Sequence, residues 1–320
     1  MTADAPVWVL LGRRTGDNNQ LLRLAEALGL PFRAIELRYN PLHLIPTHIL
    51  GATSSTLTSE SKREIRPPWP ELVLGIGYRS VSAALAIKKL SGGKTKLVRL
   101  GNPRVGPGRF DLVITTSQYP VPDAPNVIRL PVGIPTATPA EPNGEEVEWL
   151  KRLPRPHRLL LIGGDTFMWT LRPETVARAA KDIAHKGGSL IPVGSPRSSP
   201  EVIAATGLDL DGLPRYPVLL ADVDEIYVTG DSVSMISDAV ATGKPVAVIP
   251  PERTATGRLL YAVAGATGRS VPVRDIQRFT NSILHQGLAG TVEEPRAATS
   301  RPDALQTASS AIRKLLGSDV

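Results

Sequence analysis

The feature that most constrains this chain is a short apolar run that ends in a glycine-bearing turn and leads into a helix, repeated along both halves. Val7–Leu11 stops at Gly12, and Asp17 and Asn18 stand where they cap a helix reaching Ala27, with Gly29 just past its end. Residues 32–37 follow as a second strand. Residues 72–74 turn at Gly75-Ile76-Gly77 into a helix over 80–90. In the second half, residues 158–162 turn at Gly163-Gly164, and the helix 173–185 starts on Pro173, where a missing N–H costs little. Residues 225–228 run through Thr229-Gly230 into a helix over 232–241. Further strands are expected at Lys96–Leu100, 112–115, 190–193 and Val246–Ile249, and a further helix at 257–264. A helical crossover returns the chain to the same edge of a sheet, so this alternation predicts an α/β fold with parallel sheets.

A chain of 320 residues exceeds what one core comfortably serves, so two such domains are expected. Residues 136–156 shift toward Pro, Glu and Gly around one short helical piece, which sets the boundary. The domains are then residues 1–140 and 141–320. A last amphipathic helix over 303–317, with Leu305, Ile312, Leu315 and Leu316 on its apolar side, is expected to pack back on the first. Residues 40–70 break the rhythm with prolines, a Ser/Thr cluster and exposed-looking apolar residues. Acceptor or membrane contact is placed there; a partly ordered lid without chemistry is the alternative.

Composition excludes several functions. With no cysteine there is no disulfide, thiolate metal site or cysteine nucleophile, and the five histidines lack metal-binding spacing. Apolar residues at 42% and charged ones at 21% fit a globular protein. A net charge of +7 points to nucleic acid, an anionic membrane or a phosphate-rich substrate. Scattered arginines and 4% aromatics argue against nucleic acid. No apolar run approaches the roughly 18–20 residues that cross a bilayer, and the start lacks signal-peptide features. The expected location is the cytoplasm, with peripheral contact at the inner face of an anionic membrane. There is no G-x-G-x-x-G with a following acid, no G-K-[ST] and no G-x-S-x-G, so no dinucleotide cofactor, NTPase phosphate loop or hydrolase elbow is expected.

Five strand-end segments carry candidate chemistry. The richest spans 226–249. Thr229, Gly230, Asp231, Ser232 and Ser234 lie at a turn and helix start, where N–H groups favour phosphate. Asp238 follows two turns along the same face and suits a ribose. Helix capping alone is the plainer reading. Gly163 and Gly164 allow close backbone approach to a pyrophosphate, or form a plain turn. Ser195 and Arg197 are natural phosphate partners, or part of a capped turn. Arg13, Arg14, Thr15, Gly16 and Asn18 make an acceptor loop after the first strand, with Asp17 as candidate general base or simple N-cap. Arg79, near Lys88 and Lys89, is a candidate for a charged acceptor; the lysines also fit a solvated helix face.

Taken in order, GRRTGDNNQ with LAEALGL, GYRSVSAALAIKKLSGGKTKLVRLGNPRVGPGRFDLVI, LLLIGGDTFMW and ADVDEIYVTGDSVSMISDAVATGKPVAVI resemble the Elm1-like family, named for a plant mitochondrial fission factor and abundant in bacteria. The resemblance spans nearly the whole chain. It implies two Rossmann-like domains of the GT-B type facing each other across a cleft, and transfer of a sugar from a nucleotide-sugar substrate. It implies that Ser232, Ser234 and Asp238 hold the donor and that the Asp17 loop faces a glycan or lipid-linked acceptor of the cell envelope. The chain departs from the family at Thr116-Ser117-Gln118-Tyr119-Pro120, where P-x-H-D is usual, and at Ser195-Pro196-Arg197-Ser198-Ser199-Pro200, where S-R-R-T-P is usual. Asp238 replaces the usual Glu of the S-E-A helix. No D-x-D stands on a strand-end loop, so a metal-independent reaction is expected; Asp222-Val223-Asp224 precedes its strand and reads as a solvated turn. A non-catalytic adaptor in membrane remodelling and a sugar-nucleotide epimerase are the alternatives.

Overall fold

The computed structural model describes residues 5–12, 15–208, 211–268, 271 and 274–317. The described residues divide into two compact units, one running to Leu130 and resuming at Asp303, the other spanning Pro131–Pro302. The division falls ahead of the Pro- and Glu-rich stretch where composition put it.

The first unit is built on β1 (Val7–Leu11), β2 (Phe32–Glu36), β3 (Leu72–Ile76), β4 (Lys96–Leu100), β5 (Leu112–Thr116) and β6 (Val127–Leu130). They form one parallel sheet in the order β2-β1-β3-β4-β5-β6, with Val9 of β1 in register with Ala34 on one side and Leu74 on the other. Every residue of β1 is buried, which is why it reads as an unbroken apolar run instead of an alternation. Helices α1 (Thr15–Ala27), α2 (Thr47–Leu50), α3 (Ser59–Glu64) and α4 (Val81–Leu90) complete this part of the chain. Helix α1 starts at Thr15, so Asp17 lies inside its first turn and is not the N-cap. Asn18 instead grips the end of β1: Gly12 N–H donates to its Oδ1 (2.8 Å) and its Nδ2 donates to Gly12 O (2.9 Å).

The 40–70 excursion is ordered by short pieces. A 3-10 turn at Pro41–Leu44 precedes α2 and α3. Asn40 pins the excursion at its base, donating from Nδ2 to Ser55 O (2.7 Å) and from its N–H to Thr56 O (2.9 Å).

The second unit carries β7 (His157–Ile162), β8 (Trp169–Thr170), β9 (Ser189–Gly194), β10 (Glu225–Thr229), β11 (Val246–Ile249) and β12 (Glu252–Arg253). Four of these form a parallel sheet in the order β11-β10-β7-β9; β8 and β12 pair antiparallel. Its helices are α5 (Gly144–Lys151), α6 (Pro173–Ala184), α7 (Pro200–Ala204), α8 (Tyr216–Asp222), α9 (Val233–Ala241), α10 (Ala255–Thr267) and α11 (Ile276–His285). Asn143 and Glu146 form a reciprocal capping box at the start of α5. Glu146 also accepts from the backbone N–H (2.9 Å), Nε (2.8 Å) and Nη2 (2.7 Å) of Arg215, which ties α5 to the start of α8. These bonds hold its carboxyl down at about 2.

The chain then returns to the first unit as α12 (Ala304–Leu316), whose buried face is Ala304, Ala308, Ser309 and Ile312. This spacing of four, one and three residues is a helix stripe, and Arg313 at its end donates to Ala27 O of α1. Among the described residues no helix is long and apolar enough to cross a membrane.

Candidate functional site

Three loops converge at the carboxyl edge of the second unit's sheet, after β7, β9 and β10, where open α/β sheets bind ligands. Asp231 binds them together. It is 1% exposed, and it accepts from Gly164 N–H (2.8 Å), the Thr229 hydroxyl (2.6 Å) and Arg197 Nη2 (3.1 Å). Gly163 N–H donates to Thr229 Oγ1 (2.8 Å), and Arg197 Nη1 donates to Gly164 O (2.9 Å). Ser198 reaches back to Ile162 O (2.7 Å) while accepting from Ser195 N–H (2.8 Å).

The two glycines have a specific steric reason. A Cβ on Gly163 would collide with the Asp231 carboxylate, and a Cβ on Gly164 would collide with the Arg197 backbone carbonyl. Close approach is therefore required between the loops themselves.

The predicted donor residues consequently fall into two groups. Gly163, Gly164, Thr229, Gly230, Asp231 and Ser232 are buried and form a frame. Ser195, Arg197 and Ser234 keep exposed surface, Arg197 with 43% of its side chain in solvent. Ser232 is the N-cap of α9 but makes no side-chain capping bond, so its hydroxyl leaves the first-turn N–H groups of that helix uncovered. The oxygens of Asp231 accept from within the frame itself.

Asp238 also makes its bonds within the second unit. It is 3% exposed and accepts from Thr136 N–H (2.6 Å), Thr136 Oγ1 (3.0 Å), Ala137 N–H (3.1 Å) and Tyr216 OH (3.3 Å). Those oxygens join α9 to the 136–137 segment and to Tyr216. Burial pushes its carboxyl up, against the pull of those donors, and burial likewise raises Tyr216.

The predicted acceptor residues belong to the first unit. Thr15, Gly16, Asp17 and Asn18 open α1 beyond the end of β1, and Arg79 lies beyond the end of the adjacent β3. Arg13 and Arg14 lie outside the described residues. Asp17, with its side chain partly exposed, is close to β1 in sequence and supports helix α1 through the helix dipole. Among the described residues no group of three or more His, Asp or Glu side chains is arranged to hold a metal ion. Sequence reasoning missed Thr136 and Ala137 as partners of Asp238, because they stand about a hundred residues away in the chain and the pairing is purely tertiary.

A family model for mitochondrial fission ELM1 matches residues 15–266. The uncharacterized protein RP120 of Rickettsia prowazekii (strain Madrid E) is 23% identical over 297 residues, covering 77% of this chain and 83% of its own. Medicago truncatula UGT71G1, solved with UDP-glucose, superposes with a TM-score of 0.52 at 10% identity, over 98% of this chain and 90% of that one. Arabidopsis thaliana UGT89C1, solved with UDP, gives 0.51 at 13% identity, over 99% and 91%. A Listeria monocytogenes protein assigned as a UDP-N-acetylglucosamine 2-epimerase gives 0.53 at 14% identity, over 98% and 97%. At these identities the likeness is one of fold, and the fold is the GT-B architecture.

Proposed function

The chain belongs to the mitochondrial fission ELM1 family, and we propose that it is a glycosyltransferase that moves a sugar from a nucleotide-sugar donor to an acceptor hydroxyl. The observation that carries this reading is the three-loop assembly held by Asp231. It presents Ser195, Arg197, Ser234 and the uncovered start of α9 on one strand edge. Helix-start N–H groups together with a partly exposed guanidinium suit a diphosphate.

The donor binds the second unit with its diphosphate on these groups, while Gly163, Gly164, Thr229, Gly230, Asp231 and Ser232 fix their positions. Asp238 acts through the 136–137 segment. The acceptor binds the first unit through Arg13, Arg14, Thr15, Gly16, Asn18 and Arg79. Its hydroxyl oxygen attacks the anomeric carbon as the bond from that carbon to the diphosphate oxygen breaks, and Asp17 takes the hydroxyl proton. The departing diphosphate carries the electron pair, and the preorganised donors on the strand edge stabilise the developing charge.

An envelope glycan or a lipid-linked glycan is the acceptor that agrees with a net charge of +7 and with the excursion after β2, where Leu44 is 76% and Ile49 68% exposed. Such side chains favour peripheral contact with an anionic membrane face.

An epimerase acting at the same donor site is the second reading, supported by the fold shared with the Listeria monocytogenes protein. Incubation with UDP-sugars, with and without a bacterial lipid extract, separates the two. Release of UDP only when extract is present supports transfer. Interconversion of the UDP-sugar without release supports epimerisation, and neither outcome argues for a binding protein without catalysis.

A further inference from the structure

Arg99 is the most unusual side chain in the first unit. It stands on β4, is 0% exposed, and among the described residues has no carboxylate partner. Its Nη1 donates to Ser80 Oγ (2.9 Å) and its Nη2 to Ile76 O (3.0 Å) and to Gly77 O, while Nε has no partner. Gly75 makes the room, since a Cβ there would collide with Nη1. A guanidinium buried without an acid is costly, and burial pushes Arg99 down to about 9.

Two further features meet at the same place. Ser80 is the N-cap of the ten-residue helix α4, yet its hydroxyl accepts from Arg99 and makes no capping bond; Val81 N–H donates to Tyr78 O (3.2 Å), which leaves the Ser82 and Ala83 N–H groups of the first turn uncapped. Beside it, Arg79 and Arg104 are exposed and have their guanidinium carbons 5.9 Å and 4.1 Å from the centroid of the Tyr78 ring. Arg104 holds a left-handed backbone with φ +56°, and its N–H is fixed on Asn102 Oδ1 (2.8 Å). Strain of this kind in a non-glycine residue collects at binding sites. Among the described residues no carboxylate forms an ion pair with Arg79, Arg99 or Arg104.

We propose that the carboxyl ends of β3 and β4 form a second anion site, in which the start of α4, Arg79 and Arg104 bind a phosphate group and Arg99 is the positioning residue behind them. A tetrahedral oxyanion matches helix-start N–H groups and two guanidinium forks. Arg99 acts from within: it fixes Ser80 and the Gly77 carbonyl, and its charge adds to the positive potential at the helix start. If this unit binds the acceptor, as proposed above, the acceptor carries a phosphate or diphosphate, so a phosphorylating reaction must precede this one.

The test is calorimetric titration of the full chain with inorganic pyrophosphate, using the wild type, Arg79→Ala with Arg104→Ala, and Arg197→Ala. Each lost charge-assisted contact is expected to weaken binding about tenfold. In Arg197→Ala, which disables the second unit's site, pyrophosphate binding should persist. In the Arg79/Arg104 double variant made in the Arg197→Ala background it should weaken by at least tenfold, while the double variant with Arg197 intact keeps UDP binding within twofold. A pyrophosphate isotherm in that background unchanged by the double substitution overturns the proposal. Failure of UDP to bind any form would instead strike the donor reading and leave this result legible. Arg99→Met, checked for folding by circular dichroism, should lose the same pyrophosphate component; if it does not fold, the double variant decides. Cosedimentation with phosphatidylcholine vesicles containing phosphatidic acid separates the sources: loss of vesicle binding together with pyrophosphate binding assigns the site to a lipid-borne phosphate, and loss of pyrophosphate binding alone to a soluble one.

Discussion

The Asp231 carboxylate lies 3.1 Å from the Arg197 guanidinium, one buried and the other partly in solvent, and this pair links the loop after β9 to the loop after β10. The same carboxylate holds Gly164 of the loop after β7. Asp231→Ala leaves a buried N–H and a buried hydroxyl without their acceptor, so a loss of about 2–5 kcal/mol is expected in urea denaturation. Asp231→Asn keeps an acceptor for Gly164 and should lose less stability, while weakening nucleotide binding by releasing Arg197.

The glycine pair gives a sharper stability contrast. Gly164→Ala forces a methyl group into the Arg197 carbonyl and is expected to cost about 1–3 kcal/mol. At Gly12 no atom lies within 4 Å of the would-be Cβ, so Gly12→Ala should stay within about 0.5 kcal/mol of wild type. Equal destabilisation of the two in thermal or urea melts would contradict the packing described for the frame.

Glu146 should mark the acid limb of stability. Its carboxyl is held at about 2 by Arg215 and by the Asn143 backbone, so the folded form binds a proton less readily than the unfolded chain. That contribution is fully present above about pH 4.3, the unfolded carboxyl's range, and is lost as pH falls toward 2. Glu146→Gln should lower Tm at pH 7, with a gap to wild type that narrows between pH 4.5 and pH 2. A gap independent of pH would remove the carboxylate from the explanation.

Much of this was legible in the sequence, for reasons that differ by element. β1 and β11 are buried along their whole length and read as continuous apolar runs, and β7, equally buried, reads so from Leu159 after His157 and Arg158. β6 was not legible, because three of its four residues are only partly buried and it follows a proline-rich turn. The two-residue strands β8 and β12 carry too few positions for any periodicity. Helix α11 does carry a signal in the spacing of Ile276, Phe279, Thr280 and Ile283, after the capping residue Asp275. In the candidate site, the residue types at 229–234 announced a polar strand end, yet their division into frame and face depends on packing across loops. Arg99 shows the limit most clearly. Within Lys96–Leu100 it looks like an ordinary strand arginine, and only Gly75 on the neighbouring strand lets it be buried.

The apolar excursion offers a membrane test. Leu44→Asp with Ile49→Asp places charges where side chains already face solvent, so Tm should hold. Each lost apolar contact with lipid is worth about 1.5–3 kcal/mol, so cosedimentation with anionic vesicles should fall by at least tenfold. Unchanged cosedimentation would exclude residues 41–50 as the contact.

The most direct measurement is calorimetric titration of the full chain with UDP, GDP and ADP, repeated on Arg197→Ala. One nucleoside diphosphate should bind the wild type, and Arg197→Ala should bind it at least tenfold more weakly while remaining folded. Absence of binding by all three, or equal binding by the variant, would contradict a diphosphate site on the second unit.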